Sequence, residues 1–412
     1  MSPVTFEHHP ALPSEILTGA SETVRRNAEH WDEPFFQRPR DHFDLSAIRG
    51  ACDPVLETGV ENVVVLGTGG SIQTMLALAP FAKKRFVPLP SSRPSELAET
   101  LRTCPPETTC VVPISRGGVT LDVNSVVGQF EGYKFVSLAS RGPLYEFVKG
   151  IGGPVLDVPD LSGRFAGSCT NVGLVPAYLC GVDVEAFVDG LELGYAKFSL
   201  NVDPSENESL QMAAFLYQLH EKGYRNAFSM HYSSWLEGTV GLFVQEVSES
   251  TGKDGRGVLG TAQPAPLCQH SVLELLLGGS KGHTVPIIWA TESDPDDLPL
   301  RSPFPEVTGR TAHEVVSYQA DATFQAILER GVPAAKVQLG TPSPQEVGEL
   351  VAFVQNSVYF LCCLLDVNWS SNPLVVRGKE ICNEALTRRL TPSQRVENRR
   401  VVSHREFSGF WA

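Results

Sequence analysis

The chain has 412 residues, of which 42% are apolar and 19% are charged, and its formal net charge at pH 7 is −14. This apolar content excludes a disordered chain, and the length corresponds to two or three globular domains. The negative charge argues against nucleic acid and anionic membranes as partners, because both repel an acidic protein. An anionic ligand would have to be bound locally, by backbone N–H groups and a few well-placed cations.

Cysteine usage and the N-terminal sequence predict a reduced, soluble, cytoplasmic protein. The nine cysteines are scattered and form no C-x-x-C pair, so neither a disulfide framework nor a structural zinc site is expected. Residues 1–13 are polar and lack the apolar core of a signal peptide. The longest unbroken apolar run, near residues 358–365, is shorter than the ~18–20 residues that span a bilayer.

The first half of the chain predicts an α/β domain at residues 56–182. Residues 1–55 are polar and contain prolines, so we predict an irregular or helical lead-in there. The short apolar runs that follow are predicted strands, at 63–66, 85–89, 110–114, 134–138 and 155–158. The segments of helical spacing between them are predicted helices, at 72–81, 121–130 and 144–148. Continuous apolar strands that alternate with helices are typical of a parallel sheet covered on both faces.

The second half predicts another α/β domain, at residues 183–370. Helices at 184–197 and 210–221 lead into it, and an acidic, proline-rich loop is expected at 292–305. Its predicted strands lie at 227–230, 258–261, 284–291 and 335–339. Its predicted helices lie at 236–249, 270–277, 311–330 and 344–365. Residues 371–412 are expected to form a C-terminal helix and arm, and the basic stretch from 386 is a packed arm or a frayed tail.

Two glycine-rich loops follow predicted strands, which is where open α/β sheets bind ligands. Gly67–Ser71 leads into a helix, whose first N–H groups can bind an anion that the glycines allow to approach closely. Ser115–Asp122 combines hydroxyls, a guanidinium and backbone N–H groups, which suit a phosphate monoester. Either loop alone could be a structural turn, but two on consecutive strands favour a phosphate site.

Four further residues are candidates for chemistry, each with an ordinary alternative. Arg164 lies among small residues, so it either has an electrostatic role or forms a surface salt bridge. Glu249 ends a predicted helix, where the dipole disfavours a carboxylate; it is a base that works near neutrality or one more solvated acid. His270 is an acid–base group or a capping neighbour, and Lys379 alone would pass for an exposed lysine. Histidine and cysteine spacings assign no metal.

Taken in chain order, the motifs resemble those of the glucose-6-phosphate isomerase family in its shorter bacterial form. The match is to order, spacing and residue type, from about residue 63 to residue 383. Glu249–Gly255 is the most specific segment, since it resembles the family's E-S-x-G-K-D-G closely. The remaining similar segments are Leu66–Ser71, Ser115–Asp122, Gly163–Pro176, His270–Glu274 and Val367–Lys379.

The resemblance implies two sugar-isomerase (SIS-type) three-layer α/β/α domains with mainly parallel sheets. It also implies an aldose–ketose isomerase without metal or cofactor, and a homodimer that shares its active sites between subunits. It assigns the phosphorylated hexose to Gly70, Ser71, Ser115, Arg116, Gly117, Thr120 and Asn372. It assigns enediolate stabilisation to Arg164, proton transfer between C1 and C2 to Glu249, and ring opening to His270 and Lys379.

Several positions depart from the family's pattern and leave the sugar open. Arg116 replaces a lysine, Gly117 and Val119 replace hydroxyl residues, and Glu274 and Asn372 replace glutamines. Missing hydroxyls and an added carboxylate should weaken phosphate binding or change the accepted sugar. The expected reaction interconverts glucose 6-phosphate and fructose 6-phosphate. The alternatives are an isomerase of another phosphosugar, such as mannose 6-phosphate, and a sugar-phosphate-binding regulatory protein without turnover.

Overall fold

The computed structural model describes residues 4–279, 283–389, 391 and 394. Contacts divide the chain into a first unit that ends at Ser370 and a second that begins at Ser371. The strands are β1 Val4–His9, β2 Asn62–Leu66, β3 Arg85–Leu89, β4 Thr109–Pro113, β5 Lys134–Phe135, β6 Ser137–Leu138, β7 Val155–Leu156, β8 Asn226–His231, β9 Leu259–Pro264, β10 Thr284–Thr291 and β11 Ala334–Leu339.

The helices alternate with these strands over most of the chain. They are α1 Ser14–Ala28, α2 Leu45–Leu56, α3 Gly70–Leu78, α4 Pro94–Thr103, α5 Leu121–Asn124, α6 Gly142–Gly150, α7 Gly163–Cys169, α8 Asn171–Leu179, α9 Val184–Lys197, α10 Glu208–Glu221, α11 Glu237–Thr251, α12 Gln269–Gly278, α13 Ala312–Glu329, α14 Pro344–Leu365 and α15 Val376–Thr387. Of the helices just named, α15 alone belongs to the second unit. The tail predicted from 386 lies outside the described residues beyond 389, apart from 391 and 394.

The N-terminal sheet is parallel, with the strand order β3-β2-β4-β5. All five residues of β2 and of β4 are buried, as expected for central strands covered on both faces. The single strand predicted at 134–138 is wrong, because β5 pairs with β4 whereas β6 pairs with β7. The helix predicted at 121–130 is also too long. It ends at Asn124, before a Val-Val-Gly sequence of poor helix formers.

The C-terminal sheet has the order β1-β11-β10-β8-β9, and every pair except β1–β11 is parallel. Its outer strand β1 comes from the predicted lead-in, so that prediction is wrong for residues 4–9. The segment alternates between more and less buried residues, beginning with the fully buried Val4. That short period-two pattern becomes a strand because β11 offers it an edge.

The centre of the first unit is α14, which begins and ends as predicted. The Ser343 side chain accepts a hydrogen bond from the Glu346 N–H at 3.2 Å, and Pro344 occupies the first helical position. By length and composition this 22-residue helix could cross a bilayer, yet its apolar window is entirely buried. That burial is typical of the core helix of a soluble protein. Glycines allow α9 to lie directly against it, since a methyl group on Gly190 would be 1.9 Å from the Gln345 carbonyl oxygen.

Candidate active site

The two glycine-rich loops lie side by side at one edge of the N-terminal sheet. Strands β2 and β4 pair in parallel with Leu66 opposite Pro113, so both strands end at the same level. Beyond them the Ile114 N–H donates to the Leu66 carbonyl oxygen at 2.8 Å. The start of α3 and the loop that begins at Ser115 are therefore neighbours at the carboxyl edge of the sheet, where this type of fold binds ligands.

Gly70 brings the first of these loops against Arg164. A methyl group on Gly70 would lie 2.3 Å from the Gly163 carbonyl oxygen and 2.8 Å from the Arg164 Cα atom. No other residue could occupy this position without moving one of the two helices. Gly69 before it has φ 59°, the left-handed region that favours glycine. Gly70 thus sets the position of α7, while Ser71 is half-buried in the first turn of α3.

The second loop is closed by its own hydroxyl groups. The buried Ser115 Oγ atom lies 2.8 Å from Thr120 Oγ1 and accepts from the Thr120 N–H at 3.2 Å. Within the same loop, Gly118 has φ 65°, and Gly117, the residue before it, is half-buried. The helix after the loop is only one turn long, so few N–H groups point along a helix axis here. Both hydroxyls remain at the sheet edge, next to the start of α3.

Arg116 is exposed and already has an anionic partner. Its Nη1 atom lies 2.6 Å from Asp160 Oδ1 and donates to the Leu161 carbonyl oxygen at 3.1 Å. Side chains this exposed, at 46% for Arg116 and 80% for Asp160, gain little from pairing. A more strongly bound dianion could therefore displace Asp160 at small cost.

Arg164 is buried, so the surface salt bridge that was the alternative for it is wrong. Its side chain is 3% exposed, and Nη1 lies 3.0 Å from Glu249 Oε1. Its Nε atom donates to Ser250 Oγ at 3.1 Å, and Nη2 donates to the Trp369 carbonyl oxygen at 2.6 Å. Each nitrogen of the guanidinium therefore has a partner, which fixes the plane of the group.

Glu249 lies in the last turn of α11 with both carboxylate oxygens held. Oε1 faces Arg164, and Oε2 accepts from Gln245 Nε2 at 3.2 Å. About a quarter of the side chain, 24%, remains exposed. Lys253 closes the end of the helix, since Nζ donates to the Glu249 carbonyl oxygen at 3.0 Å and to the Ser250 carbonyl oxygen at 2.5 Å. Burial lowers the pKa of Lys253.

A second acid, Glu246, lies three residues before Glu249 on α11 and is fully buried. Its Oε1 accepts from Gln355 Nε2 at 2.7 Å. The Gln355 Oε1 atom in turn accepts from Ser168 Oγ at 3.0 Å and from the Tyr195 hydroxyl at 2.5 Å. Burial raises the pKa of Glu246 to about 8. This network links α7, α9, α11 and α14 directly behind the Arg164–Glu249 pair.

Within the first unit, no hydrogen bond or ion pair between described residues joins His270 to this pair. His270 is exposed in the first turn of α12, and its ring has no hydrogen-bond partner among the described residues. Asn372 and Lys379 belong to the second unit, where Asn372 precedes the turn Pro373–Val375 and Lys379 lies in the first turn of α15. Across residues 4–279 and 283–389, no group of three or more His, Cys, Asp or Glu side chains could hold a metal ion.

Four residues of the site were not candidates from the sequence: Gln245, Glu246, Lys253 and Gln355. Gln245 could have been found, because residues four apart share a face of a helix and Glu249 was already a candidate. Gln355 lies in the apolar α14 and its partner is more than a hundred positions away, so no local pattern joins the two. Lys253 is part of the recognised Glu249–Gly255 segment, but only the folded turn reveals its contacts.

Comparison with known proteins supports the resemblance noted in the motifs. No family model matches the chain. It is 27% identical to a glucose-6-phosphate isomerase of Rubrobacter xylanophilus, over 85% of this chain and 88% of that one. It is 26% identical to that of Methanocaldococcus jannaschii, over 79% and 84%. The solved glucose-6-phosphate isomerase of Chlamydia trachomatis has a TM-score of 0.80, at 18% identity over 98% of this chain and 92% of that one.

These findings confirm the predicted fold of the sugar-isomerase type, with its mainly parallel α/β sheets. Structural likeness at such low identity speaks for the fold alone, whereas the sequence matches extend over most of the chain. By its sequence, this chain is similar to the glucose-6-phosphate isomerases over most of its length.

Proposed function

We propose that the chain is a cytoplasmic aldose–ketose isomerase that interconverts glucose 6-phosphate and fructose 6-phosphate. One observation carries the proposal: a partly exposed carboxylate, Glu249, is held 3.0 Å from a buried guanidinium, that of Arg164. The names of the curated relatives support it. A proton transfer through an enediolate needs a carboxylate that accepts and returns the proton, and a fixed cation beside it that stabilises the charge on oxygen.

In the proposed reaction Glu249 takes the proton from C2 of the open-chain aldose and returns it to C1. The electron pair of the broken C2–H bond forms the enediolate, and a proton moves from O2 to O1, so that atoms and charge balance. One carboxylate can serve as base and then as acid because the two carbons are adjacent. Arg164 stabilises the negative charge on oxygen, and its guanidinium stays protonated throughout the neutral range.

We propose that the two adjacent loops hold the phosphate group. The hydroxyls of Ser71, Ser115 and Thr120 would donate to it, with backbone N–H groups at Gly70 and Gly117. Arg116 would exchange its contact with Asp160 for a contact with the dianion. An acidic protein needs such a local site, and the substrate would lie with its reacting carbons towards Glu249. Asn372 is assigned to the same substrate by resemblance.

We further propose a homodimer in which His270 acts in the partner's site, with Lys379 also assisting ring opening. The segment that carries His270 presents large apolar side chains to solvent, Leu259 at 56%, Leu267 at 72% and Leu275 at 58% exposed. Apolar groups exposed along one strand–turn–helix segment favour a protein interface. With a two-fold axis, each subunit would contribute its His270 to the partner's site and would receive the partner's His270 in its own site.

A second candidate keeps the chemistry and changes the sugar. Gly117 and the 67%-exposed Val119 offer no hydroxyl in the phosphate loop, and this favours a looser specificity. A coupled assay with fructose 6-phosphate, glucose 6-phosphate and mannose 6-phosphate separates the candidates. Turnover of the first two supports the proposal, whereas a preference for mannose 6-phosphate supports the second candidate. Calorimetric binding without turnover of any sugar would instead indicate a regulatory protein.

A further inference from the structure

One buried acid behind the candidate site has no part in the proposed proton transfer. Glu246 is 0% exposed, one helical turn before Glu249. Its Oε1 atom has the Gln355 amide as a donor, but among the described residues Oε2 has no hydrogen-bond partner. A fully buried, ionised carboxylate normally has several donors. A single neutral amide donor is the environment of an uncharged acid.

The titratable groups that interact with Glu246 are Arg164 on α7, Tyr195 on α9, Cys362 on α14 and Glu249 on α11 itself. Cys169 on α7 interacts in turn with Tyr195, and Lys253 interacts with Glu249 and Cys362. Helix α3, which also packs on α11, has no titratable side chain. Burial raises the pKa of Cys169, of Cys362 and of Tyr195, so these three groups stay neutral. The one guanidinium in this set therefore faces two carboxyl groups.

We propose that Glu246 is a positioning residue of the candidate site. It stays protonated and uncharged, so that the positive charge of Arg164 pairs with the carboxylate of Glu249 alone. As an uncharged group it still accepts the Gln355 hydrogen bond and so ties α11 to α14. If it were ionised, a fully buried anion and the partly exposed Glu249 would share one guanidinium, and the buried charge would be costly. This inference rests on the proposed roles of Arg164 and Glu249.

The consequence is a loss of turnover at alkaline pH. When Glu246 ionises, its negative charge partly neutralises the positive charge of Arg164. Arg164 then stabilises the negative enediolate oxygen less strongly. Burial places the pKa of Glu246 at about 8. If the ionised form is inactive, turnover falls about tenfold for each pH unit above that pKa.

The test compares pH profiles, each normalised to that protein's own rate at pH 7. Glu246→Gln has the shape and the acceptor oxygen of the protonated acid but cannot ionise. The wild type should lose about tenfold in kcat by about pH 9, and Glu246→Gln should lose much less. Glu237→Gln, an exposed glutamate in the first turn of the same helix, should keep the wild-type decline. Equal declines in wild type and Glu246→Gln would overturn the proposal.

A second measurement does not depend on activity. Infrared spectra of wild type at pH 7 should contain the carbonyl band of a buried protonated carboxyl, lost near the pKa of Glu246 and missing from Glu246→Gln. If that variant does not fold, Glu246→Leu serves as the reference. A wild-type spectrum without the band overturns the positioning role even if the enzyme is active. The band in a protein without any phosphosugar turnover would leave the buried acid in place and refute the proposed function instead.

Discussion

Glu249 is oriented at both oxygens, by Arg164 and by Gln245, so its replacement should act on chemistry more than on binding. Glu249→Gln keeps the size of the side chain and removes the base. We expect kcat to fall by about 10²–10⁴ while affinity for the phosphosugar, measured by calorimetry, changes little. The matched control is Glu237→Gln on the same helix, which should retain activity. Near-native turnover in Glu249→Gln would refute the base assignment.

Substitutions of Arg116 and of Asp160 should have opposite effects on substrate binding, because the Asp160 carboxylate pairs with the Arg116 guanidinium and competes with the phosphate for it. Arg116→Ala should raise KM roughly tenfold with kcat nearly unchanged, since the phosphate is remote from the proton transfer. Asp160→Asn should lower KM by a factor of about two to five, the size of an exposed ion pair. Steady-state kinetics and competition by inorganic phosphate measure both. Unchanged KM in both variants would place the anion site elsewhere.

Glu246 should also make folding stability depend on pH. Burial raises its pKa from 4.5 to about 8, so the folded chain binds the proton more tightly than the unfolded chain. Its contribution is therefore fully present below pH 4.5 and is lost as the pH rises through about 8. Urea unfolding at about pH 5 and about pH 8 should show a larger loss of stability in wild type than in Glu246→Gln. Equal losses would contradict a buried protonated acid.

Whether a residue of the site could be predicted depended on how far apart in the chain it and its contact partners lie. Arg164 and Glu249 were predicted as candidates because each lies in a short motif at a strand or helix end. Gln355 could not be predicted, because it lies in a largely apolar helix and its contacts come from three other helices. The residues proposed to carry out the chemistry could therefore be predicted from the sequence, whereas the residues that hold their side chains in place could not.

At the scale of elements, the contact between α3 and α7 depends on Gly70. Gly70→Ala would put a methyl group 2.3 Å from a backbone oxygen, so the two helices must separate. We expect a loss of about 1–3 kcal/mol in the free energy of unfolding, together with reduced kcat as Arg164 moves. Gly50→Ala in α2 is the control, since no atom lies within 4 Å of the added methyl group. Gly50→Ala should be neutral or slightly stabilising, and equal destabilisation of both variants would contradict the packing argument.

Two helices and two strands have the bounds that the sequence predicted. The bounds of α9 and α14 agree with the prediction, and so do those of β3 and β10. Errors arose where a partner strand decides the outcome. Residues 4–9 become a strand only because β11 is exposed beside them, and the chain between β5 and β6 changes its pairing partner. Such choices depend on the folded sheet rather than on local preference.

At the scale of the whole molecule, the proposed dimer predicts complementation. Glu249→Gln and His270→Ala chains, each inactive alone, should regain about a quarter of native activity when mixed and allowed to exchange subunits. Half of the dimers would be mixed, and each would contain one intact site. The control mixes Glu249→Gln with Arg164→Ala; these residues contact each other within one chain, so no intact site can form. Exchange without recovered activity in the first mixture would show that His270 does not act across an interface.

The pairing of β1 with β11 also governs when the protein can finish folding during its synthesis. Residues 4–9 leave the ribosome long before residues 334–339, with which they pair. At roughly 5–20 residues per second, the early strand remains without its partner for about 16–65 s. During that interval its backbone groups are available to other chains, so a nascent-chain chaperone that covers this segment should raise the yield of native protein. A strand that is among the earliest made is thus one of the last to be fixed.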